Sequence, residues 1–121
     1  MRNYRNISAW KRSDELTIRI YQVTRQFPAE EIYGITSQLR RAAYSVPSNI
    51  AEGSGRETNA DYLRFLSIAR GSLAETEYFL HLSRQLGYLS EGDWNDLTIQ
   101  VNQTFAALSG LMKAVRRSLD K

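Results

Sequence analysis

The sequence predicts an all-α protein, an up-down-up-down antiparallel four-helix bundle forming a single domain over residues 1–121. Three observations carry that expectation. Four long stretches repeat their apolar residues at helical spacing. Short connections built from Pro, Gly and small polar residues separate those stretches. No stretch alternates with a period of two, and there is neither a repeat nor a low-complexity tract. A chain that is 42% hydrophobic and 24% charged has the composition of a globule with one proper core.

The first helix is expected from about Ser8 to Gln26. Leu16, Ile20, Val23 and Phe27 follow the 4-3-4 spacing of a packed face, and Ala9 and Ser13 extend it. Phe27-Pro28 closes it, because the residue before proline is pushed out of the α region. Pro28 then opens a short turn whose Glu30 and Glu31 suit a helix N-terminus, and Gly34 breaks that turn.

The second helix is expected from Ile35 to Gly53. Ile32, Leu39, Ala43 and Val46 fall within about 40° of Ile50 on a helical wheel, one apolar stripe. Arg41, Ser45, Ser48 and Glu52 line the opposite side. Pro47 sits inside this pattern. It removes the amide that would bond the Ala43 carbonyl, at a cost of about 3 kcal/mol. Because Ala43, Val46 and Ile50 stay in phase across it, the expectation is a continuous, kinked helix ended by left-handed Gly53 and Gly55.

Thr58 or Asn59 is placed to cap the third helix, which should run to about Leu86 with Gly87 at its end. Its main stripe is Tyr62, Phe65, Leu66, Ala69, Leu73, Thr76 and Leu80. A second stripe lies about 100° round the helix, at Ile68, Glu75, Phe79, Leu82 and Leu86, and predicts burial on two sides, the second against another subunit. Gly71 and Ser72 should allow a close backbone approach. Ser90 caps the fourth helix with Asp93 three positions on. Trp94, Leu97, Val101, Phe105, Leu108, Met112, Val115 and Leu119 then make one long stripe that ends among Lys113, Arg116, Arg117 and Lys121, cations that complement the helix dipole.

Absence of cysteine removes disulfides, thiolate nucleophiles and cysteine metal sites. No run is apolar enough to span a membrane and the N-terminus lacks a signal peptide's apolar segment, so a cytoplasmic location is expected. The net charge of +3 is uneven. Residues 1–28 hold six Arg or Lys against two acids, whereas residues 29–121 hold ten against eleven, and thirteen of the sixteen cations are Arg. Arg2, Arg5, Lys11, Arg12 and Arg19, with Arg116 and Arg117, are therefore candidate contacts to RNA or DNA. Tyr4, Tyr21 and Tyr33 among the N-terminal arginines could stack on bases, although aromatic residues at helical spacing more often pack.

Read together, QLRRAAYSVPSNIAEGSGRE and YLRFLSIARGSLAETEYFL resemble the signature of the four-helix-bundle proteins encoded in intervening sequences of bacterial 23S ribosomal RNA genes. The likeness begins near Trp10, continues through FPAEEIYGITSQLRRAA and reaches the GYL after the third helix. NIAEG and IARGSLAE are specific in combination. A more distant similarity is to the accessory protein of diversity-generating retroelements, which binds nucleic acid beside a reverse transcriptase. The resemblance implies a ring-shaped homopentamer with no established enzymatic activity. It also singles out Arg40, Arg41, Asn49, Glu52, Arg70 and Glu75 as polar positions of the signature, a network or subunit interface. An unpaired buried carboxylate costs several kcal/mol, so Glu75 is expected to pair with Arg40, Arg41 or Arg70, within or between subunits.

Chemistry finds little support. His81 is the only histidine; Tyr78 stands where a di-iron Glu-x-x-His motif needs a carboxylate, and residues 75–77 lack the arginine of an Arg-x4–6-His ribonuclease. Without a poised histidine no serine triad can be built. Asp93 and Asp96 form one acidic pair at a helix start, better explained by capping than by magnesium. Gly53-Ser54-Gly55-Arg56 reads as a connection, not a phosphate cradle. No catalytic residue, metal site, cofactor or small-molecule substrate is assigned. The expectation is a non-enzymatic homo-oligomeric scaffold or binding module, with nucleic-acid binding through a basic face of the ring as the alternative.

Overall fold

The computed structural model describes residues 2–119. Four helices, α1 (Ser8–Thr24), α2 (Ile35–Ser54), α3 (Asn59–Gln85) and α4 (Glu91–Leu119), follow one another with short connections. Single 3-10 turns, Tyr4–Asn6 and Ala29–Glu31, precede α1 and α2. α1 packs on α2 and α4, and α3 packs on the same two, with no diagonal contact between helices. The bundle is therefore square in section, up-down-up-down. No strand forms among the described residues, and none of the helices is long and apolar enough to cross a membrane.

The expected stripes make the core. Leu16 and Ile20 of α1 meet Leu39, Ala43, Val46 and Ile50 of α2, Leu66, Ala69, Leu73 and Leu80 of α3, and Leu97, Val101, Leu108 and Met112 of α4, all buried. Each buried leucine or isoleucine is worth about 1.5–3 kcal/mol relative to exposure, so this contiguous stripe drives assembly of the fold. Hydroxyls also lie inside. Those of Thr24, Thr76, Ser83 and Thr104 each donate to the carbonyl one turn back, and Thr17 shares its single proton between the Ser13 carbonyl one turn back and that of Ala43, which meets the cost of burying them.

α2 runs unbroken through Pro47. The Ala43 carbonyl, deprived of its amide partner, lies 3.1 Å from the Thr17 hydroxyl of α1. One side chain of a neighbouring helix thus supplies the donor that the proline removed.

Several local expectations give way. Ile32 lies ahead of α2 and is 48% exposed; Ile35 takes the buried place at the start of the stripe. Neither Gly53 nor Gly55 is left-handed: Gly87 alone among the described residues has positive φ. Gly53 is instead buried where α2 touches α3, and a Cβ there would stand 2.7 Å from the Phe65 Cβ. A left-handed turn is not needed at the end of α2 because Arg2 reaches across from the N-terminus and donates to the Ser54 and Arg56 carbonyls and to the Asn59 side chain. Gly87 does close α3, with the Gly87 amide bonded to the Arg84 carbonyl and the Tyr88 amide to the Ser83 carbonyl, the double bond of a Schellman ending. Gly71 is exposed with open space around it; of the expected pair it is Ser72 that meets α2, at the Ser45 hydroxyl, and the buried glycine of that seam is Gly53. α1 ends at Thr24, slightly short of Gln26.

Thr58 and Ser90 are caps as expected, accepting from the Asp61 and Asp93 amides at 3.1 Å each. At the far end of the bundle Glu31 links the two connections. It accepts from the Tyr88 hydroxyl at 2.7 Å, and that bond pushes the Tyr88 phenol above its ordinary pKa.

Candidate functional surfaces

The six polar signature positions do not form one network within the chain. Arg40 joins α2 to α1: its Nε donates to the Thr24 hydroxyl at 2.8 Å, and its guanidinium stands 4.6 Å over the Tyr21 ring. Asn49 donates to the Ser45 carbonyl and hydroxyl at 2.8 and 3.0 Å, and Ser45 in turn meets Ser72 of α3 at 2.9 Å. Glu52 pairs with Arg56 at 2.9 Å, one turn on along the chain. Arg41, Arg70 and Glu75 are exposed. Glu75 is therefore not a buried carboxylate, and among the described residues none of its three expected partners pairs with it. The desolvation that would have forced a pairing is absent on this outer side of α3.

The second stripe of α3 is also not a continuous apolar flank. Phe79 and Leu82 pack, half-buried, against the chain's own core, while Ile68 and Leu86 are exposed and stand five turns apart. Apolar exposure is concentrated elsewhere. Ile18, Tyr21 and Tyr44 lie on the outside of α1 and α2, with Ile32 and the 92% exposed Tyr33 just before α2. Tyr21, Ile32, Thr36, Ser37, Arg40, Arg41 and Tyr44 line a shallow depression along this seam. Sequence reasoning missed this face because Ile18, Tyr21 and Tyr44 fall outside the core stripes, where single apolar residues carry no signal.

Charge of both signs occurs at each end of the bundle. Arg2 and Arg5 begin the chain at the end where α4 finishes with Arg116 and Arg117, with Lys11 and Arg12 further along α1; Arg2, Asn3, Asn6 and Ile7 share a surface there with Leu111, Ala114, Val115 and Ser118. Arg56 and Arg64 belong to the same end, tied to Asp61 at 3.7 and 2.9 Å. The opposite end carries Glu30, Glu31, Glu91, Asp93 and Asp96 but also Arg25 and Arg84, and Glu52, Glu57 and Asp61 lie at the first end. Arg19 stands at the opposite end, paired with Asp93 at 2.8 Å, so it does not join the others. Arg2 is engaged with backbone, its guanidinium 4.4 Å over the Tyr62 ring, and Arg12 bonds Gln103 at 3.0 Å. Arg5, Lys11, Arg116 and Arg117 remain turned outward.

Among the described residues, the buried hydroxyls of Thr36 and Tyr62 have no hydrogen-bond partner. Burial raises the Tyr62 phenol pKa, against the nearby positive charge of Arg2. His81 is exposed beside the Tyr78 ring, and no three metal-ligating side chains converge among the described residues.

The profile of the 23S rRNA-intervening sequence proteins matches residues 5–110, nearly all of this bundle. The chain belongs to that family. No curated protein matches it. Among solved structures, a protein of unknown function from the S23 ribosomal protein family of Bacteroides thetaiotaomicron superposes with a TM-score of 0.80 at 23% identity, covering 87% of this chain and 98% of that one. At that identity the shared feature is the fold. The family is one of unknown function, and its membership gives the bundle a lineage without giving it a reaction.

Proposed function

We propose that this family member is a non-enzymatic cytoplasmic scaffold or binding module that works as a homo-oligomer, a ring of five being the number that the family resemblance implies. The observation that supports this reading is the outer face of α1 and α2, where the exposed Tyr21, Ile32 and Tyr44 line one depression and Ile18 and Tyr33 are exposed as well. A ring needs a second, different face on each subunit. The adjacent outer face of α2 and α3 offers one: Ile68 and Glu75 flank Ser72, which already touches α2. Arg41 on the first face and Glu75 on the second are both exposed, and an Arg41–Glu75 pair between subunits accounts for both.

Light scattering tests this. One chain is 13.9 kDa, so a pentamer is expected near ~70 kDa. Ile18→Glu with Tyr44→Glu should return the single-chain mass, since two buried unpaired carboxylates oppose the interface. A 13.9 kDa species from the unaltered chain at micromolar concentration would refute the assembly.

A second reading, RNA or DNA binding, is supported by the exposed Arg5, Arg116 and Arg117, whose chain neighbours Asn6 and Val115 share one surface, with Lys11 exposed one turn into α1. A ring aligns these ends of all subunits on one face and multiplies the field of each. Binding should weaken steeply between low and physiological salt, and Arg116→Glu with Arg117→Glu should flatten that slope. No binding at about 50 mM salt would remove this reading.

A further inference from the structure

The fourth helix turns Trp94, Thr98, Val101 and Phe105 toward α3, a 4-3-4 spacing along one face. Trp94 and Phe105 are large and half-buried, whereas the residues between them are small. The gap between these two aromatic side chains is not filled from α3, which presents Leu80 and Glu77 there. The result is a pocket of about 240 Å³ lined by Glu77, Leu80, Trp94, Val101, Asn102 and Phe105, with Thr98 beside them. Leu80 and Val101, each 2% exposed, seal its floor.

Glu77 and Asn102 are exposed at its rim, and Thr98 is half-buried. Thr76 and Thr104, close by in sequence, donate their hydroxyls to backbone carbonyls. Glu77, Thr98 and Asn102 have no hydrogen-bonded or ion-paired partner among the described residues. The one charged side chain in the lining is an anion. Arg84, a turn and more beyond Leu80, holds its guanidinium 5.1 Å over the Trp94 ring, fixing that indole at the pocket's end.

We propose that this pocket is a binding site for a small organic cation, a primary amine carried on a single aromatic ring. Its volume lies below the range typical of drug-sized ligands, which suits one ring and a short arm. The ring fills the space between Trp94 and Phe105 over Leu80 and Val101. The ammonium lies at Glu77, where a charge-assisted hydrogen bond forms, with the Asn102 and Thr98 oxygens as further acceptors. A carboxylate ligand is repelled by Glu77, and a neutral alcohol loses the ionic bond. The pocket is on the opposite side of the square bundle from the α1–α2 face and shares only α3 with the second proposed assembly face.

Phenethylamine, 2-phenylethanol and phenylacetate share the ring and differ in charge. Trp10→Phe leaves Trp94 as the sole indole, and its emission, with calorimetry on the unaltered chain, reports occupancy. Phenethylamine should bind one per chain with Kd at or below about 1 mM, and the other two probes about tenfold more weakly or less. Glu77→Gln, a surface change that leaves the fold intact by circular dichroism, should make the amine and the alcohol equal. Thr98→Phe, which fills the pocket, should abolish binding of all three. Absence of saturable amine binding to the unaltered chain, or an amine preference that survives Glu77→Gln, overturns the proposal.

Discussion

Helix α3 makes two seams, and they are built oppositely. Against α2 it is drawn in tightly: Gly53 lies where a Cβ would collide with Phe65 and Tyr62, and Ser45 and Ser72 meet hydroxyl to hydroxyl. Against α4 the half-buried Trp94 and Phe105 bracket smaller residues, and the space between them becomes a pocket. The difference teaches that the distance between two helices is set by the smallest residue at their closest point, and that large residues at the margin leave what lies between them unfilled. One seam is optimised for contact, the other retains room.

The strongest way to break this contrast is Gly53→Ala. Its new methyl meets the Phe65 Cβ, an atom close to the α3 backbone with little freedom to yield, so a loss of about 2–3 kcal/mol is expected in urea unfolding. An unchanged midpoint would show that the seam relaxes freely. Next comes Thr17→Val, isosteric but without the donor. It should cost about 1–2 kcal/mol because the Ala43 carbonyl opposite Pro47 is left unpaired; restoring an amide with Pro47→Ala in the same chain should recover most of that.

Filling the open seam works the other way. Thr98→Leu adds buried methylenes beside Val101 and should raise stability by about 1 kcal/mol, seen as a higher melting temperature. The smallest effect at neutral pH is that of Tyr62→Phe, within about 0.5 kcal/mol, since the hydroxyl it deletes bonds to nothing. At high pH it becomes visible. The folded-state pKa of Tyr62 lies above the ordinary 10.0, so the unfolded chain releases this proton first. Stability from this group is complete below pH 10 and is lost as pH rises from there through the folded-state pKa. The phenylalanine variant should lack that part of the alkaline loss.

Much of the bundle was legible from spacing. Tyr62, Leu66, Ala69, Leu73, Thr76 and Leu80 recur at 3 and 4, and all are buried; Thr58, Ser90 and Gly87 are local signals read within one turn of chain. The polar signature was less legible. Glu75 is expected to pair with Arg40, Arg41 or Arg70, and within the chain Arg40 bonds Thr24 instead, because a helical wheel gives the direction of a side chain and not its neighbour's identity. Arg2 looked like a free cation in a basic segment, and its partners are more than fifty residues away. Trp94 and Phe105 shared a stripe with Leu97 and Leu108, and nothing local distinguished a core position from the wall of a pocket.

Local periodicity and turn chemistry alone determined that four amphipathic helices form and which side of each is apolar, since these depend on neighbours three or four residues apart. Tertiary structure decided how closely the helices approach, which hydroxyl covers the gap left by Pro47, and that one seam keeps a cavity. Those outcomes depend on side-chain volumes and donors brought together from distant segments, and such sums exist only once the helices have packed.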